Sequence, residues 1–242
     1  MGLTDFLKSD IFEAYWITAL VAYMLGSMSF AIIFSWVFEK KDVRDYGSGN
    51  AGATNVFRSV GIAPGVLTFI MDFVKGAAAM ALSRVIFNVE CGTGGELDAD
   101  RSICFCIAGL FALLGHLYPV YFGFRGGKGV LTLGGIMLIL SPVRFLIVLV
   151  IFIIMFASTQ IVSLSSCVCA ILYPVVTFIQ LYFFYYRRSP EIYNGRFLLI
   201  QTLMAVVFGA IVLIKHHSNI KRIFNGTEQK LVIKGHKAHK AV

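Results

Sequence analysis

The segment at residues 130–157, VLTLGGIMLILSPVRFLIVLVIFIIMFA, decides how this chain is built. It is apolar almost throughout and is longer than the ~20 residues that a helix needs to cross the hydrocarbon core of a bilayer. Its middle, however, carries the string SPVR at 141–144, and a proline followed by a cation is costly to place within lipid. The sequence therefore predicts two short helices joined by a tight turn at the membrane surface.

The rest of the chain has the same apolar character. Of its 242 residues, 58% are hydrophobic and 14% are charged, and the mean hydropathy of +0.80 is too high for a water-soluble domain. We therefore predict an all-α, polytopic integral membrane protein with about seven transmembrane helices, two of them short, in a single domain over residues 1–242. The other apolar runs lie at 12–38, 62–88, 103–122, 160–186 and 197–214.

Positive charges are distributed unequally between the two sides that seven crossings define. The loops at 39–61 and 123–132 and the tail from 215 onward would share one side, and they hold most of the 21 Lys and Arg residues. Because cytoplasmic loops of membrane proteins are enriched in cations, these segments are predicted to face the cytoplasm. In a cell (inner) membrane the N-terminus would then lie outside and the C-terminus inside.

The net charge of +8 does not indicate nucleic-acid binding, because the cations are scattered over loops without a soluble module to hold them. Contact between these basic loops and anionic membrane lipids is expected instead. Cys104 and Cys106, like Cys167 and Cys169, are two residues apart and so point to different faces of their predicted helices. We expect neither a metal site nor a cofactor.

The first cytoplasmic segment, GSGNAGATNVFR at 47–58, is a glycine-rich polar loop between two apolar runs. It matches the string GxGxxG, but a membrane helix precedes it where a dinucleotide fold needs a buried strand. Backbone N–H groups of such a loop can bind an anion, and Arg58 adds a bidentate fork for phosphate. A plain interhelical turn is the alternative. The predicted phosphate-binding residues are Gly47, Gly49, Asn50, Thr54 and Asn55.

The second segment is RGGKG at 125–129. Lys128 places an ammonium beside exposed backbone donors where a helix begins, an arrangement that suits a phosphate. The spacing departs from that of the nucleotide-hydrolysing phosphate loop, and a membrane anchor under the positive-inside rule is the alternative. With Lys128, the predicted phosphate-binding residues are Gly126, Gly127 and Gly129.

The third segment, HHSNIKR at 216–222, carries the histidines nearest to the other two. On a helix His216, Asn219 and Arg222 follow one another at intervals of three, so one stripe presents an imidazole, an amide and a guanidinium. A basic juxtamembrane helix lying on anionic lipid is the alternative.

Three further polar residues fall within the predicted membrane spans. Asp72 and Lys75 are three residues apart on one helical face, where they form a structural ion pair unless Lys75 lines a polar site. His116 fits helix–helix hydrogen bonding as well as a site role.

Taken together, these strings resemble the bacterial membrane family of acyl-phosphate:glycerol-3-phosphate acyltransferases (PlsY). They occur in the family's order, and although each alone is weak, the ordered set is highly specific. The strings are GSMSF (26–30), GSGNAGATNVFR (47–58), MDFVKG (71–76), GHLYPV (115–120), RGGKGV (125–130) and HHSNIKR (216–222).

The resemblance implies a seven-helix enzyme that moves a fatty acyl group from a long-chain acyl phosphate to the sn-1 hydroxyl of glycerol 3-phosphate. Lysophosphatidic acid and phosphate would be the products, and the active site would face the cytoplasm. It also extends the site to Ser163 and Ser165, in a serine-rich stretch. The catalytic residues expected from the matching positions are Ser48, Arg58, Lys128, His216 and Asn219.

Two positions depart from the family pattern. Ser29 stands where proline is common and Gln160 where arginine is common, and neither lies in a principal motif. The alternative function is a membrane transporter of a small anionic solute, because glycine-rich breaks and buried charges also suit a translocation path. Such transporters usually have related halves, and no repeat relates residues 1–120 to 121–242.

Overall fold

A computed structural model describes residues 10–91, 99–190 and 193–231, and no strand occurs in these ranges. The predicted all-α class is confirmed, while the ends of the predicted domain, 1–9 and 232–242, lie outside the described residues. The α-helices are α1 (Asp10–Gly26), α2 (Phe30–Glu39), α3 (Ala53–Ser59), α4 (Ile62–Cys91), α5 (Ala99–Leu117), α6 (Val130–Leu140), α7 (Pro142–Thr159), α8 (Val162–Gln180), α9 (Gly195–Lys215) and α10 (His217–Phe224). Short 3₁₀ turns form at Val43–Asp45 and Val120–Phe122, and a π-helical turn at Leu181–Tyr186 extends α8.

Six segments of the described chain are long and apolar enough to cross a membrane, which supports the predicted multi-pass architecture. A further apolar helix, α6, has only 11 residues. Its neighbour α7 was also predicted to be short, but its 18 residues are enough to cross, because it continues without interruption to Thr159. The six segments are Asp10–Glu39, Ile62–Asn88, Ser102–Phe122, Pro142–Thr159, Val162–Tyr186 and Gly195–Lys215.

The predicted break between α6 and α7 falls at Ser141. Its backbone is extended, its Oγ accepts a hydrogen bond from the N–H of Arg144, and Pro142 occupies the first turn of α7. The turn is only partly exposed, because Pro142 and Val143 are exposed whereas Ser141 and Arg144 are buried, and α8 packs against α7. From α8, Gln180 Oε1 accepts a hydrogen bond from Ser141 Oγ (3.2 Å).

The first apolar run, predicted as one span, is bent at residues 27–29 between α1 and α2. The bend leaves the carbonyl of Met28 outside the helical ladder, and this oxygen accepts a hydrogen bond from Lys75 Nζ (2.7 Å). On the N-terminal side of the bend, α1 lies close to α5. A side chain on Gly26 or Gly115 would collide with the backbone of the other helix, as is common where membrane helices pack through small residues.

Close packing also joins α4 to α6. A side chain on Gly76 would collide with the carbonyl of Thr132, and one on Gly135 with that of Phe73. The largest fully buried side chains of the core come from four helices and are Met80, Leu113, Leu117, Ile136 and Phe208. This packing fixes the start of α6, which directly follows the second polar segment.

Candidate active site

The three polar segments line one cavity of about 580 Å³. Its volume lies within the ~300–1,000 Å³ typical of small-molecule sites. The predicted site residues that line it are Gly47, Ser48, Asn50, Thr54, Asn55, Arg58, Lys128, Gly129, Ser163, His216, Asn219 and Arg222. The others, which are described but do not line it, are Gly49, Lys75, Gly126, Gly127 and Ser165.

Asn55 folds the first segment into a compact loop. Its Nδ2 donates hydrogen bonds to the carbonyls of Val43 (2.9 Å), Tyr46 (3.0 Å) and Asn50 (3.1 Å). Its Oδ1 accepts a hydrogen bond from the N–H of Ser48 (3.0 Å). The amide of Asn55 therefore holds the loop, whereas the exposed side chain of Ser48 faces the cavity.

Two glycines make the turn of this loop possible. Gly47 and Gly49 have φ values of 58° and 69°, which other residues rarely adopt. The N–H of Gly49 donates to the carbonyl of Tyr46 (3.0 Å), so this amide serves the turn. Asn50 and Thr54 contribute the remaining polar side chains of the loop to the cavity wall.

The chain after α10 closes one side of the cavity. Arg58 Nη2, at the end of α3, donates to the carbonyl of Gln229 (3.0 Å). Two residues later, the N–H of Leu231 donates to the carbonyl of Gln160 (2.9 Å), at the end of α7. Arg58 thus joins the first segment to the C-terminal tail.

The glycines of the second segment follow the end of α5. The N–H of Gly126 donates to the carbonyl of Leu117 and that of Gly127 to the carbonyl of His116, both at 3.2 Å. These two amides cap carbonyls that the helix end leaves without a helical donor. Gly129, at a φ of 80°, turns the chain into α6 and lines the cavity.

Lys128 extends from this turn into the cavity, where its Nζ donates a hydrogen bond to Asn219 Oδ1. Burial lowers the pKa of Lys128 to about 8, and the charges of Arg222 and Arg58 act in the same direction. Glu228 opposes them. The ammonium is therefore protonated at neutral pH but close to its titration range.

His216, which is 3% exposed, lies between α9 and α10. Its Nδ1 is 2.8 Å from the carbonyl of Val212, and because a carbonyl only accepts, Nδ1 carries the hydrogen. Burial and the charge of Lys128 lower the pKa of His216 to about 4. His216 is therefore neutral at pH 7, with Nε2 as a hydrogen-bond acceptor. The neighbouring His217 is exposed.

Glu228 was missed by the sequence analysis, although it organises the third segment. Its carboxylate accepts hydrogen bonds from Ser163 Oγ (2.6 Å), Asn219 Nδ2 (2.6 Å) and Arg222 Nε (2.7 Å). Burial acts to raise the pKa of the Glu228 carboxyl, but these donors outweigh it and the pKa is lowered. The signal available in the sequence was that Glu228 is a single acidic residue shortly after the basic third segment.

The residues predicted for the site on weaker grounds also fall into two groups, those that line the cavity and those that do not. Ser163 and Arg222 line the cavity and contact Glu228, whereas Ser165 Oγ donates to the carbonyl of Ile161 one turn earlier in α8. Lys75 forms the predicted ion pair with Asp72, at 2.9 Å. Within the described residues, no group of three or more His, Cys, Asp or Glu side chains is arranged to hold a metal ion.

Seven large apolar side chains of the helices also line the cavity. They come from α3, α4, α6, α7 and α8, so the polar segments border an apolar region. These residues are Phe57, Phe69, Val130, Leu131, Phe152, Phe156 and Val162. The cavity therefore combines a cationic part with a part suited to a hydrocarbon chain.

Comparison with known sequences gives a match over almost the whole chain. The family described as "Glycerol-3-phosphate acyltransferase" matches residues 16–226. Glycerol-3-phosphate acyltransferase 2 of Bacillus anthracis is 38% identical over 216 residues, which are 89% of this chain and 98% of that protein. The glycerol-3-phosphate acyltransferase of Chlorobium phaeobacteroides is 37% identical over 229 residues, covering 89% of this chain and 96% of that protein.

Two crystal structures have a similar fold. Both are of PlsY (YgiH), an integral membrane glycerol 3-phosphate acyltransferase. The glycerol 3-phosphate form has a TM-score of 0.71 and is 32% identical, covering 90% of this chain and 96% of that one. The lysophosphatidic acid form has a TM-score of 0.69 and is 31% identical, covering 89% and 94%.

Proposed function

The chain belongs to the glycerol-3-phosphate acyltransferase family, and we propose that it transfers a fatty acyl group from acyl phosphate to the sn-1 hydroxyl of glycerol 3-phosphate. The products are lysophosphatidic acid and inorganic phosphate. The observation that carries this function is a family match that spans residues 16–226 and so includes the three segments around the cavity. Forms of PlsY with glycerol 3-phosphate and with lysophosphatidic acid support the same substrate and product here.

Cationic groups supply the binding of two phosphate-bearing substrates. Arg58, Lys128 and Arg222 reach the cavity from three different segments. A hydrogen bond to a charged group contributes roughly 1.5–3 kcal/mol, so a few such contacts are sufficient to hold each phosphate. The polar loop residues Gly47, Asn50 and Thr54 complete this part of the site.

Ser48 and Asn219 orient the substrates. The exposed hydroxyl of Ser48 binds substrate and forms no acyl-enzyme, since transfer from an already activated acyl phosphate needs no covalent intermediate. Asn219 accepts from Lys128 and donates to Glu228, and these two contacts support its place in the cavity wall.

The transfer is direct. The glycerol oxygen attacks the acyl carbon, the bond from that carbon to the phosphate oxygen breaks, and its electron pair leaves with the phosphate. The hydroxyl proton passes to a phosphate oxygen of the donor. His216, with a pKa of about 4, is a weak base at neutral pH, and its Nε2 accepts a hydrogen bond from glycerol 3-phosphate and so positions it.

The apolar wall accommodates the acyl chain. Phe152 and Phe156 of α7 and Phe69 of α4 face the cavity next to the cationic segments. In the proposed complex the hydrocarbon lies toward the membrane spans and the phosphate toward the loops. The apolar wall thus supports a long-chain acyl donor, here a long-chain acyl phosphate.

The enzyme is oriented with its active site toward the cytoplasm, its N-terminus outside and its C-terminus inside the cell membrane. Support comes from the basic residues of the loops that line the cavity. Residues 1–242 form a single acyltransferase domain in contact with membrane lipids. The family identifies an enzyme, which argues against the alternative of an anion transporter.

The donor is tested with purified protein in lipid, given glycerol 3-phosphate and either acyl phosphate or acyl-CoA of the same chain length. Lysophosphatidic acid is expected from acyl phosphate alone. Lys128→Met serves as the inactive control, since it removes the ammonium at similar side-chain length. Product formation from acyl-CoA but not from acyl phosphate would overturn the proposed donor.

A further inference from the structure

Three charged or titratable side chains lie beneath the cavity and have no part in the transfer described above. Asp72, Lys75 and His116 are 1%, 4% and 5% exposed, and Asp72 and His116 reach the cavity wall. Lys75 Nζ is 2.9 Å from Asp72 Oδ1 and donates to the carbonyl of Met28 at the bend of the first span. Because buried charges are costly within a membrane, a purely structural pair would more cheaply be apolar.

Main-chain carbonyls of His116 and Asp72 accept hydrogen bonds from residues on either side of Lys128. On one side of Lys128, the carbonyl of His116 accepts the N–H of Gly127 (3.2 Å). On the other side, Thr132 Oγ1 donates to the carbonyl of Asp72 (3.2 Å). Lys128 lies between these ties, on a turn that α4 and α5 fix from below.

The imidazole of His116 also contacts this turn. A side chain on Gly127 would collide with His116 Nε2 on one face and with the carbonyl of Ala51 on the other. The ring therefore supports Gly127 where the second segment meets the first. A bulky or absent ring would change the spacing between the two segments.

The side chains of His116 and Asp72 face each other. His116 Nδ1 is 3.9 Å from Asp72 Oδ1, and it has no hydrogen-bond partner among the described residues. The Asp72 carboxylate is the neighbour of the ring on this side, and Lys75 in turn pairs with the carboxylate. The order of support runs from Lys75 to Asp72, to His116 and then to Gly127.

We propose that His116 is a positioning residue of the acyl transfer, braced by the Asp72–Lys75 pair, and that it sets the position of Lys128 in the cavity. This role rests on the proposed function, because Lys128 is assigned there to a substrate phosphate. Displacing Lys128 weakens its contact with a substrate phosphate in the ground state and the transition state alike, so loss of this support is expected mainly in KM.

The test compares His116→Gln, which keeps a nitrogen near the place of Nε2, with His116→Leu, which does not. His116→Leu is expected to raise KM for at least one phosphate substrate by about tenfold or more, with kcat lowered less than about threefold. His116→Gln is expected to restore KM to within about threefold of the wild type. If both variants instead lose kcat equally at unchanged KM, His116 acts in the chemistry and the positioning role is wrong.

Thr132→Val removes the hydrogen bond from Thr132 Oγ1 to the carbonyl of Asp72. This variant tests the inference even if the His116 variants do not fold. It is expected to raise the same KM by about threefold, because only one hydrogen bond is lost. The matched control is Ser83→Ala, which removes a buried hydroxyl on α4 that bonds only within its own helix, to Met80 O (2.7 Å). Equal KM values for Thr132→Val and Ser83→Ala would contradict the proposed positioning of Lys128. An inactive wild type would instead contradict the proposed function itself.

Discussion

Lys128 Nζ donates a hydrogen bond to Asn219 Oδ1 and so joins the second polar segment to the third, 91 residues later in the chain. Asn219 also makes a second hydrogen bond, in which its Nδ2 donates to Glu228 (2.6 Å). An amide suits this place because it accepts on one side and donates on the other. Two groups of opposite charge are thereby held on either side of Asn219.

Asn219→Ala removes both contacts and is expected to lower kcat/KM by about 100-fold, because two hydrogen bonds to charged partners are lost. Asn225→Ala, at the exposed end of the same helix, is the matched control and is expected to stay within about twofold of the wild type. Steady-state rates at varied glycerol 3-phosphate give both values. A loss below about threefold for Asn219→Ala would remove Asn219 from the site.

The pH dependence of kcat/KM is expected to have an alkaline limb set by Lys128. With a pKa of about 8 in the free enzyme, the ammonium loses its charge as the pH rises above that value, and kcat/KM falls about tenfold per pH unit. In Lys128→Arg the guanidinium stays charged, so the alkaline limb disappears even though the overall rate is lower. Dividing one profile by the other cancels the titration of the substrates. Parallel profiles would show that Lys128 does not titrate in this range.

His216 is expected to act as a neutral acceptor. Replacing it by Gln keeps an acceptor near Nε2 and is expected to retain about tenfold more kcat than His216→Ala. Because the pKa of His216 in the free enzyme is about 4, kcat/KM of the wild type has no inflection from this residue between pH 5.5 and pH 8. His217→Ala is the control, since that side chain is exposed. Equal inactivity of the Gln and Ala variants would instead indicate a general base.

Glu228→Gln is expected to lower the thermal midpoint at pH 7 by about 4 °C or more, because three donors lose a charged acceptor. The pKa of Glu228 is lowered in the folded protein, so its stabilisation is present above the unfolded pKa and disappears as the pH falls through the folded pKa. The difference between Glu228→Gln and the wild type therefore shrinks at acidic pH. Glu39→Gln, in an exposed pair with Lys41, is the control. An equal shift in both variants would contradict the inferred role of Glu228.

The sequence predicted the helical class and the break before Pro142, because apolar runs and proline act locally. It did not predict the bend at residues 27–29, because this short string is flanked on both sides by apolar sequence and the compensating donor, Lys75, is 47 residues away. The short α6 was predicted from the same break, but its close contact with α4, which depends on Gly76 and Gly135, has no local signal in the sequence.

The grouping of three segments around one cavity was predictable from charge and spacing. The hydrogen-bond partner of each individual amide group was not. Asn55, Gly126 and Gly127 were expected to bind phosphate, and in the structure they donate to carbonyls of nearby turns and helix ends. Which carbonyls need a donor depends on where each helix ends, and boundaries are the least certain part of a sequence-based prediction. Glu228 was missed because its three partners come from α8 and α10.

The most direct measurement is the stoichiometry of the purified wild type, given acyl phosphate and glycerol 3-phosphate, with both products quantified over time. Direct transfer at one site predicts equal amounts of lysophosphatidic acid and inorganic phosphate from the first turnover, with no acyl group found on Ser48 by mass spectrometry. A burst of phosphate that precedes lysophosphatidic acid, together with an acylated Ser48, would contradict direct transfer.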